Sequence, residues 1–415
     1  MNLIVEIAFK YLINRRRASL VTISGVALGV SLFVAMSALM LGFEHYFVSK
    51  VIDVSPHIVI KDEFRGIPRQ PAQIAYGQTG TVLIASLKPR DEIRGIKRGM
   101  QIVHDLEEDS NLKVAPTLMG QVFLRYGTKT VNATLYGIHP VREKRVTNIE
   151  HDLIKGSLKA LSTTANGVIL GAGMAAKVGV DLGDNLSAIS PAGLIMRMKV
   201  VGIFRSGITS IDNGDAFTLL KKSQILQDRA NVINQIRIRV KNPSSASNYA
   251  ATIERRYKYR TEAWEESNKN ILSIFIIQQS ITFSSVGALL LVAAFGIYNI
   301  TSTIIHEKVR DIAIMKSIGF RERDLRLAFV IQGAIIGIVG TLMGWLLGYI
   351  LVLILGSIRF HLEGFITSEG FVLYRSFSLY LIGGAFAILS TTLASYLPSL
   401  KASKLNPVDI IRSAT

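Results

Sequence analysis

Four stretches of the chain carry no Asp, Glu, Lys or Arg: 18–43, 271–306, 327–358 and 376–400. Each is longer than the roughly 20 apolar residues needed to cross a hydrocarbon layer about 30 Å thick. The pattern predicts transmembrane helices at 18–42, 271–306, 327–355 and 377–400. Between the first two the periodicity changes. Alternation bounded by turn residues predicts strands at 57–61, 121–126, 130–136, 197–204 and 235–240. Helical spacing predicts helices at 91–109, 172–179 and 244–258. Strands and helices mix without a strict βα repeat, so 43–270 is expected to be a large α+β domain inserted between the first and second spans. Its membrane-proximal part is expected at 43–113 and 236–270, with 114–235 as an inserted lobe. The 66–90 stretch, rich in Gly, Pro and Gln, reads as a long loop. At the N-terminus, Leu3, Ile4, Ile7, Ala8, Tyr11 and Leu12 share one helical face. That pattern fits an amphipathic helix over 1–17 lying on the membrane surface, or a straight extension of the first span.

Charge sets the orientation. The 415 residues carry 47 Lys and Arg against 30 Asp and Glu, a formal charge of +17. In a soluble chain such an excess would suggest nucleic acid; beside membrane spans it sets topology. Residues 1–17 hold four cations, 307–326 hold six and 401–415 hold three, whereas 359–375 hold two. Both termini are therefore expected in the cytoplasm, with a cytoplasmic 401–415 tail, a short periplasmic loop at 356–376 and the 43–270 domain outside. Lys10 and Arg15 to Arg17 flank the first span as they would a signal peptide. Its 26 uncharged residues, however, exceed a signal peptide's apolar core, so an uncleaved anchor is expected.

Much chemistry is excluded. The chain contains no Cys, which removes thiol catalysis, disulfides, iron–sulfur clusters and thiolate zinc sites. The spans hold no acid or base apart from His306 at one end, unlike ion-coupled carriers, which keep ionisable groups inside the membrane. No G-x-x-x-x-G-K-[ST] phosphate loop, G-x-S-x-G or H-E-x-x-H occurs. No catalytic residue, metal site or bound cofactor is expected. Gly171-Ala172-Gly173-Met174-Ala175-Ala176 imitates a dinucleotide fingerprint, but without a repeated βαβ context it reads as a glycine turn capping a short helix. Asn132-Ala133-Thr134 is a glycosylation sequon by pattern alone.

Two features stand out. Gly340, Gly344 and Gly348 in the third span, and Gly25 and Gly29 in the first, are spaced to let helix backbones pack closely. Between the second and third spans, Glu307 to Arg326 places Ile312, Met315 and Ile318 in an apolar stripe among charges, with Gly319 as a C-terminal stop. A short amphipathic helix there is a natural docking element for a soluble partner.

Several segments together resemble the permease subunits of the MacB/FtsX superfamily of ABC transporters, with a closer likeness to the lipoprotein-releasing LolC and LolE permeases. They are the 307–320 loop, the glycine-bearing span after it, and the closing Asn406-Pro407-Val408-Asp409-Ile410-Ile411-Arg412. Val54-Ser55-Pro56-His57-Ile58, Tyr136-Gly137-Ile138-His139-Pro140 and 167–183 add to these. The resemblance implies a non-catalytic inner-membrane permease that pairs with a second permease, identical or homologous. It also implies a separate ABC ATPase dimer that binds the ATP and Mg, docking on Glu307, Arg310, Asp311, Ile312, Met315, Lys316 and Gly319. Lipidated protein would be drawn from the membrane into a cavity lined by Met36, Met40, Phe43, Ile274, Ile277 and Phe283, then released to the periplasm. As one helix, 271–306 would span about 54 Å, a stalk able to carry motion. In LolC-type permeases a periplasmic hairpin hooks a chaperone; here 190–199 is a short connection with no room for a long hook. MacB-like export through a periplasmic adaptor and FtsX-like force transmission to a periplasmic hydrolase remain the alternatives.

Overall fold

The computed structural model describes residues 2–63, 95–358, 361–363 and 367–403. The 66–90 loop, the start of the 91–109 helix and the closing 406–412 segment lie outside them. The chain divides into two compact units, one of Met1–Tyr46, Ser273–Phe360 and Glu369–Thr415, the other of Phe47–Leu272 and His361–Ser368.

The first unit is helical. Helix α1 (Asn2–Asn14) is followed, after a turn residue at Arg15, by α2 (Arg16–Val54). The N-terminal segment is therefore not a straight extension of the first span. The Ser19 hydroxyl donates to the Leu12 carbonyl at 3.1 Å and fixes the corner. Helix α2 also runs to Val54, past the end expected at residue 42. Glu44, Lys50 and Asp53 halt a hydrophobic stretch without halting a helix, because Glu and Lys are good helix formers. The last turns of α2 fall in the second unit.

Downstream, α11 (Lys269–Glu307), α12 (Val309–Ser317), α13 (Glu322–Ser357) and α14 (Phe377–Ser403) complete the helical set. Among the described residues, four helices are long and apolar enough to cross a membrane: α2, α11, α13 and Phe377–Leu400 of α14. In the connection expected as a loop at 356–376, two three-residue strands pair, β11 (His361–Glu363) with β12 (Thr367–Glu369).

Packing within this unit follows the small residues. A Cβ added at Gly340, Gly344 or Gly348 of α13 would lie 2.8, 2.7 or 3.1 Å from Cβ of Val26, Val30 or Val34 on α2. One face of α13 is thus a groove that takes a ridge of valines. Gly333 and Gly337 point a second face at Ser395 and Thr391 of α14. On α2, Gly29 faces Leu290 of α11. The core so formed joins Leu12, Val26, Val30, Phe33, Leu290, Ile297, Ile336 and Ala387.

The second unit is an α+β domain built on one ten-stranded sheet. Its strands are β1 (Ile58–Lys61), β2 (Leu112–Tyr126), β3 (Lys129–Ile138), β4 (Leu153–Gly156), β5 (Gly167–Gly171), β6 (Asn185–Ile189), β7 (Ile195–Phe204), β8 (Asp215–Leu219), β9 (Gln235–Val240) and β10 (Thr261–Ala263). They run in the order β10-β1-β9-β2-β3-β8-β5-β7-β4, with β6 across β2 and β7. The expected division at 113/114 falls inside β2. Residues 112–117 pair antiparallel with β9, and 118–126 pair antiparallel with β3. One strand therefore carries the chain from one lobe into the other. Gly127, at φ 58°, supplies the tight turn into β3.

Two helices, α3 (Gly99–Glu107) and α9 (Ala246–Tyr257), cover the first lobe. They bury Ile102, Val103 and Leu106, and Ala246, Ala250 and Ile253, against Ile58, Ile60, Val114, Ile236 and Ile238. In the other lobe lie α4 (Pro140–Val146), α5 (Leu158–Thr163), α6 (Ala172–Val178), α7 (Thr209–Gly214) and α8 (Leu220–Leu226), and α10 (Trp264–Ser267) follows β10. Leu124, Leu135, Val168, Leu170, Met174, Leu186, Met198 and Val200 form the second lobe's main core.

The glycine groove generates a prediction. Gly344→Leu forces a side chain into Val30 and should destabilise the chain by at least about 1–3 kcal/mol, the usual cost of overpacking. Gly287→Ala, with open space at its Cβ position, is the control and should leave stability unchanged or slightly raised. Thermal unfolding of both variants in detergent checks this; equal melting temperatures would show that α13 does not lie on the α2 valines.

Candidate functional site

Three places hold the chemistry. The first is α12, between the second and third apolar helices. Lys308 Nζ holds Asp311 Oδ2 at 2.8 Å in its first turn. At its end, Gly319 takes φ 107°, which lets Phe320 N–H reach the Met315 carbonyl at 3.1 Å. Glu307 pairs with Arg15, and Lys316 pairs with Glu322 at 3.5 Å.

The structure separates the apolar residues of this helix in a way the stripe did not anticipate. Ile312 is wholly buried and packs with Ile304, Ile305, Leu325 and Phe329, and Met315 lies partly buried against the same cluster. These two hold α12 to its own chain and offer little to a partner. The exposed side carries Arg310, Ile314, Ser317 and Ile318, with Ile318 75% and Ile314 46% exposed. Ile314 is the apolar residue that stripe counting missed. Helical spacing shows that two faces are apolar but not which one the chain covers itself.

The second place is an apolar pocket of about 260 Å³ lined by Val30, Phe33, Phe283, Val286, Leu290, Ile382, Gly383 and Phe386. Phe283 belongs to it and meets Phe33 with ring centroids 5.8 Å apart. Phe43 meets Phe275 edge-on at 5.8 Å. Met36, Met40, Phe43, Ile274 and Ile277 are not part of this pocket. Of the six residues expected in the cavity, Met36, Ile274, Ile277 and Phe283 are exposed apolar side chains.

The third place is a cleft of about 450 Å³ in the second unit, at the point where β2 changes partners. Sequence reasoning missed it, because its walls come from strands far apart along the chain. Arg237 of β9 is nearly buried, donates to Glu143 Oε1 at 2.7 Å and lies 5.3 Å over the Tyr136 ring. Thr147 Oγ1 donates to the same carboxylate oxygen at 3.1 Å. Burial pushes the Tyr136 hydroxyl up to about 12. Burial likewise pushes Asp215 from 3.8 to about 7, with Asp212 adding to the rise and Arg237 opposing it. Asp152, on the same wall, is also raised, chiefly by burial. Burial alone would raise Glu262, but Lys61, at 2.6 Å, and Arg260 outweigh it and hold it below the usual range.

Near this cleft His57 is neutral-favouring, because burial and Arg239 both lower its pKa. Its Nε2 lies 3.2 Å from the Ile52 carbonyl, and its Nδ1 lies 3.1 Å from the Val240 carbonyl and 3.3 Å from the Val240 N–H. The dinucleotide-like glycines find a packing explanation. Gly171 lies against the Asp212 backbone and Gly173 against the Asn213 side chain, where α6 packs on α7. Asn132 lies in β3. The turn joining β6 to β7 is five residues, 190–194, and the hairpin is correspondingly short.

Comparison with known proteins agrees with this architecture. A family model described as MacB-like periplasmic core domain matches residues 19–256, and one described as FtsX-like permease C-terminal matches 283–407. The lipoprotein-releasing system transmembrane protein LolC of Xylella fastidiosa is 26% identical, over 98% of each chain. LolC of Neisseria meningitidis is 24% identical over the same shares. The macrolide export ATP-binding/permease protein MacB of Agrobacterium fabrum is 22% identical over 95% of this chain and 58% of its own length.

Asp215 gives the site a pH signature. Its folded pKa lies above its unfolded one, so the folded state binds the extra proton and stability falls as pH rises from about 4 to about 7. Asp215→Asn mimics the protonated form. It should raise the melting temperature at pH 8 and flatten its dependence on pH across that interval; an unchanged slope would show that Asp215 ionises freely.

Proposed function

Since the chain belongs to the MacB/FtsX superfamily of ABC transporter permeases, a bacterial inner-membrane family, and is LolC-like over nearly its whole length, we propose that it is the permease subunit of a lipoprotein-extracting transporter. A separate ATPase dimer binds ATP and Mg and drives it. A second permease, identical or homologous, completes the transmembrane part. The 43–270 domain stands on the periplasmic side between the first and second spans, and both termini are cytoplasmic.

The observation that carries this reading is the pairing of full-length likeness to LolC with a short exposed face, Arg310, Ile314 and Ile318, on a helix between two apolar spans. Such a face suits a soluble partner, and the chain itself has no phosphate-binding loop. Lipid-bearing cargo meets the apolar side chains Met36, Met40, Phe43, Ile274, Ile277 and Phe283. An acyl chain gains nothing from charge, and methionine adapts to its varied shapes.

A second reading has its own support. The five-residue β6–β7 turn leaves little to hook a periplasmic chaperone, and the MacB-like model covers more than half of the chain. Export of another substrate through a periplasmic adaptor follows from that, with force transmission to a periplasmic hydrolase as its non-transporting variant. Purification of the full complex and identification of co-bound lipidated proteins by mass spectrometry decides between them.

Two predictions follow the docking face. The purified chain alone should show no ATP hydrolysis; robust turnover would overturn the assignment. Ile314→Asp with Ile318→Asp should strip the ATPase from the complex on purification, each change costing about 1–3 kcal/mol of association, while the permease still folds. Ile312→Asp should instead destabilise the permease itself, because it buries an unpaired charge. An ATPase that stays bound to the double variant rules out α12 as the docking element.

A further inference from the structure

Gln332 lies in α13, 1% exposed, and neither its Nε2 nor its Oε1 has a hydrogen-bond partner among the described residues. It is a polar side chain in the first third of a mostly apolar helix, buried inside the protein, where an unpaired amide is costly. The Thr341 hydroxyl on the same helix is also unpartnered. A threonine hydroxyl, however, needs only a χ1 rotation to bond the carbonyl of the preceding turn. A glutamine amide has no such local remedy, and an apolar side chain would fill the place at no polar cost.

The neighbours of Gln332 locate what it faces. One turn earlier, Phe329 stacks on Tyr11 of α1 with centroids 5.9 Å apart and planes 9° from parallel. One turn later, Ile336 packs in the core that contains Leu12 of α1. The amide therefore sits beside the C-terminal turn of α1. That turn ends at Asn14 and carries carbonyls which its own helix cannot pair. One of them, that of Leu12, is already taken by the Ser19 hydroxyl. The turn after α1 is also tied to the end of α11 through the Arg15–Glu307 pair, and Tyr11 of α1 packs with the cluster that holds Ile312 of the docking helix.

We propose that Gln332 is the contact of a second arrangement of α1. When α1 shifts along α13, the Gln332 amide donates to the carbonyls of the last α1 turn; in the arrangement described here it waits unpaired. The inference rests on the transport reading only for its purpose, namely that movement of α12 is relayed to the first span through α1.

The test uses the purified full chain without any partner, in two variants: Gln332→Leu, and Gln332→Met, whose unbranched side chain follows the shape of glutamine. Removing an unpaired amide should raise the melting temperature by about 2 °C or more. It should also slow hydrogen exchange of the α1 amides by about tenfold, because the second arrangement loses its stabilising bond. A fall in melting temperature in both variants overturns the proposal by showing that the amide is already paired. Unchanged exchange across α1 overturns it too, by reducing Gln332 to a local packing defect. A wild-type chain that binds no ATPase would sink the transport reading and leave both of these readouts standing.

Discussion

A hydrocarbon layer offers no hydrogen bonds, and that single constraint orders the first unit. Backbone groups must be paired within each segment, so the apolar stretches are helices. Charges are expelled to the ends, where they cluster as Arg15 to Arg17 and as the 307–326 group. Lipid tails are as apolar as leucine, so no hydrophobic gain draws two helices together and close fit must do so instead. The Gly340, Gly344 and Gly348 groove over Val26, Val30 and Val34 is that fit, with backbone brought near enough for many weak contacts to add. Against this background the unpaired amide of Gln332 stands out among the described residues, and a group that costs stability asks for a reason outside stability.

The same constraint explains why so much of the helical unit was legible. Twenty or more residues without charge admit one solution, and the four stretches had only that one. Helix ends were less legible. Glu44 marks where the uncharged stretch stops, whereas α2 stops only at Val54. The domain was harder still. Pro116 and Gly120 break the β pattern, so the first half of β2 was not expected to be strand. The ladder absorbs them because Pro116 lies opposite Ile236 on β9, and Gly120 faces the Gln227 side chain, where a Cβ would not fit.

The cleft shows a different limit. Tyr136, Asp215 and Arg237 are unremarkable in sequence, one residue on each of three strands. They become a charged, half-dry group only because β3 lies between β2 and β8 while β9 pairs the other half of β2. No spacing rule links them. The raised Asp215 and the buried Arg237–Glu143 pair are consequences of strand order. A buried pair of this kind is weak evidence for stability, since desolvation opposes the attraction. Its geometric effect is firmer: it ties α4 to β9 beside the strand shared by both lobes.

Burial of Ile312 changes how α12 must act. Had the whole stripe faced a partner, the helix would be a loose adaptor, free to rock on flexible ends. Instead Ile312 shares one cluster with Ile304 and Ile305 at the end of α11 and with Leu325 and Phe329 at the start of α13, and Tyr11 of α1 joins them. Close-packed clusters do not stretch; they move together or repack. Force applied at Ile314 or Ile318 therefore reaches the ends of two apolar helices and the N-terminal helix at once. Of these, α11 is 39 residues long, about 58 Å at 1.5 Å per residue. It contains no proline, and that length exceeds the thickness of a bilayer. On the proposed docking, the two exposed isoleucines would take the push, and the buried one would keep it from being spent within α12.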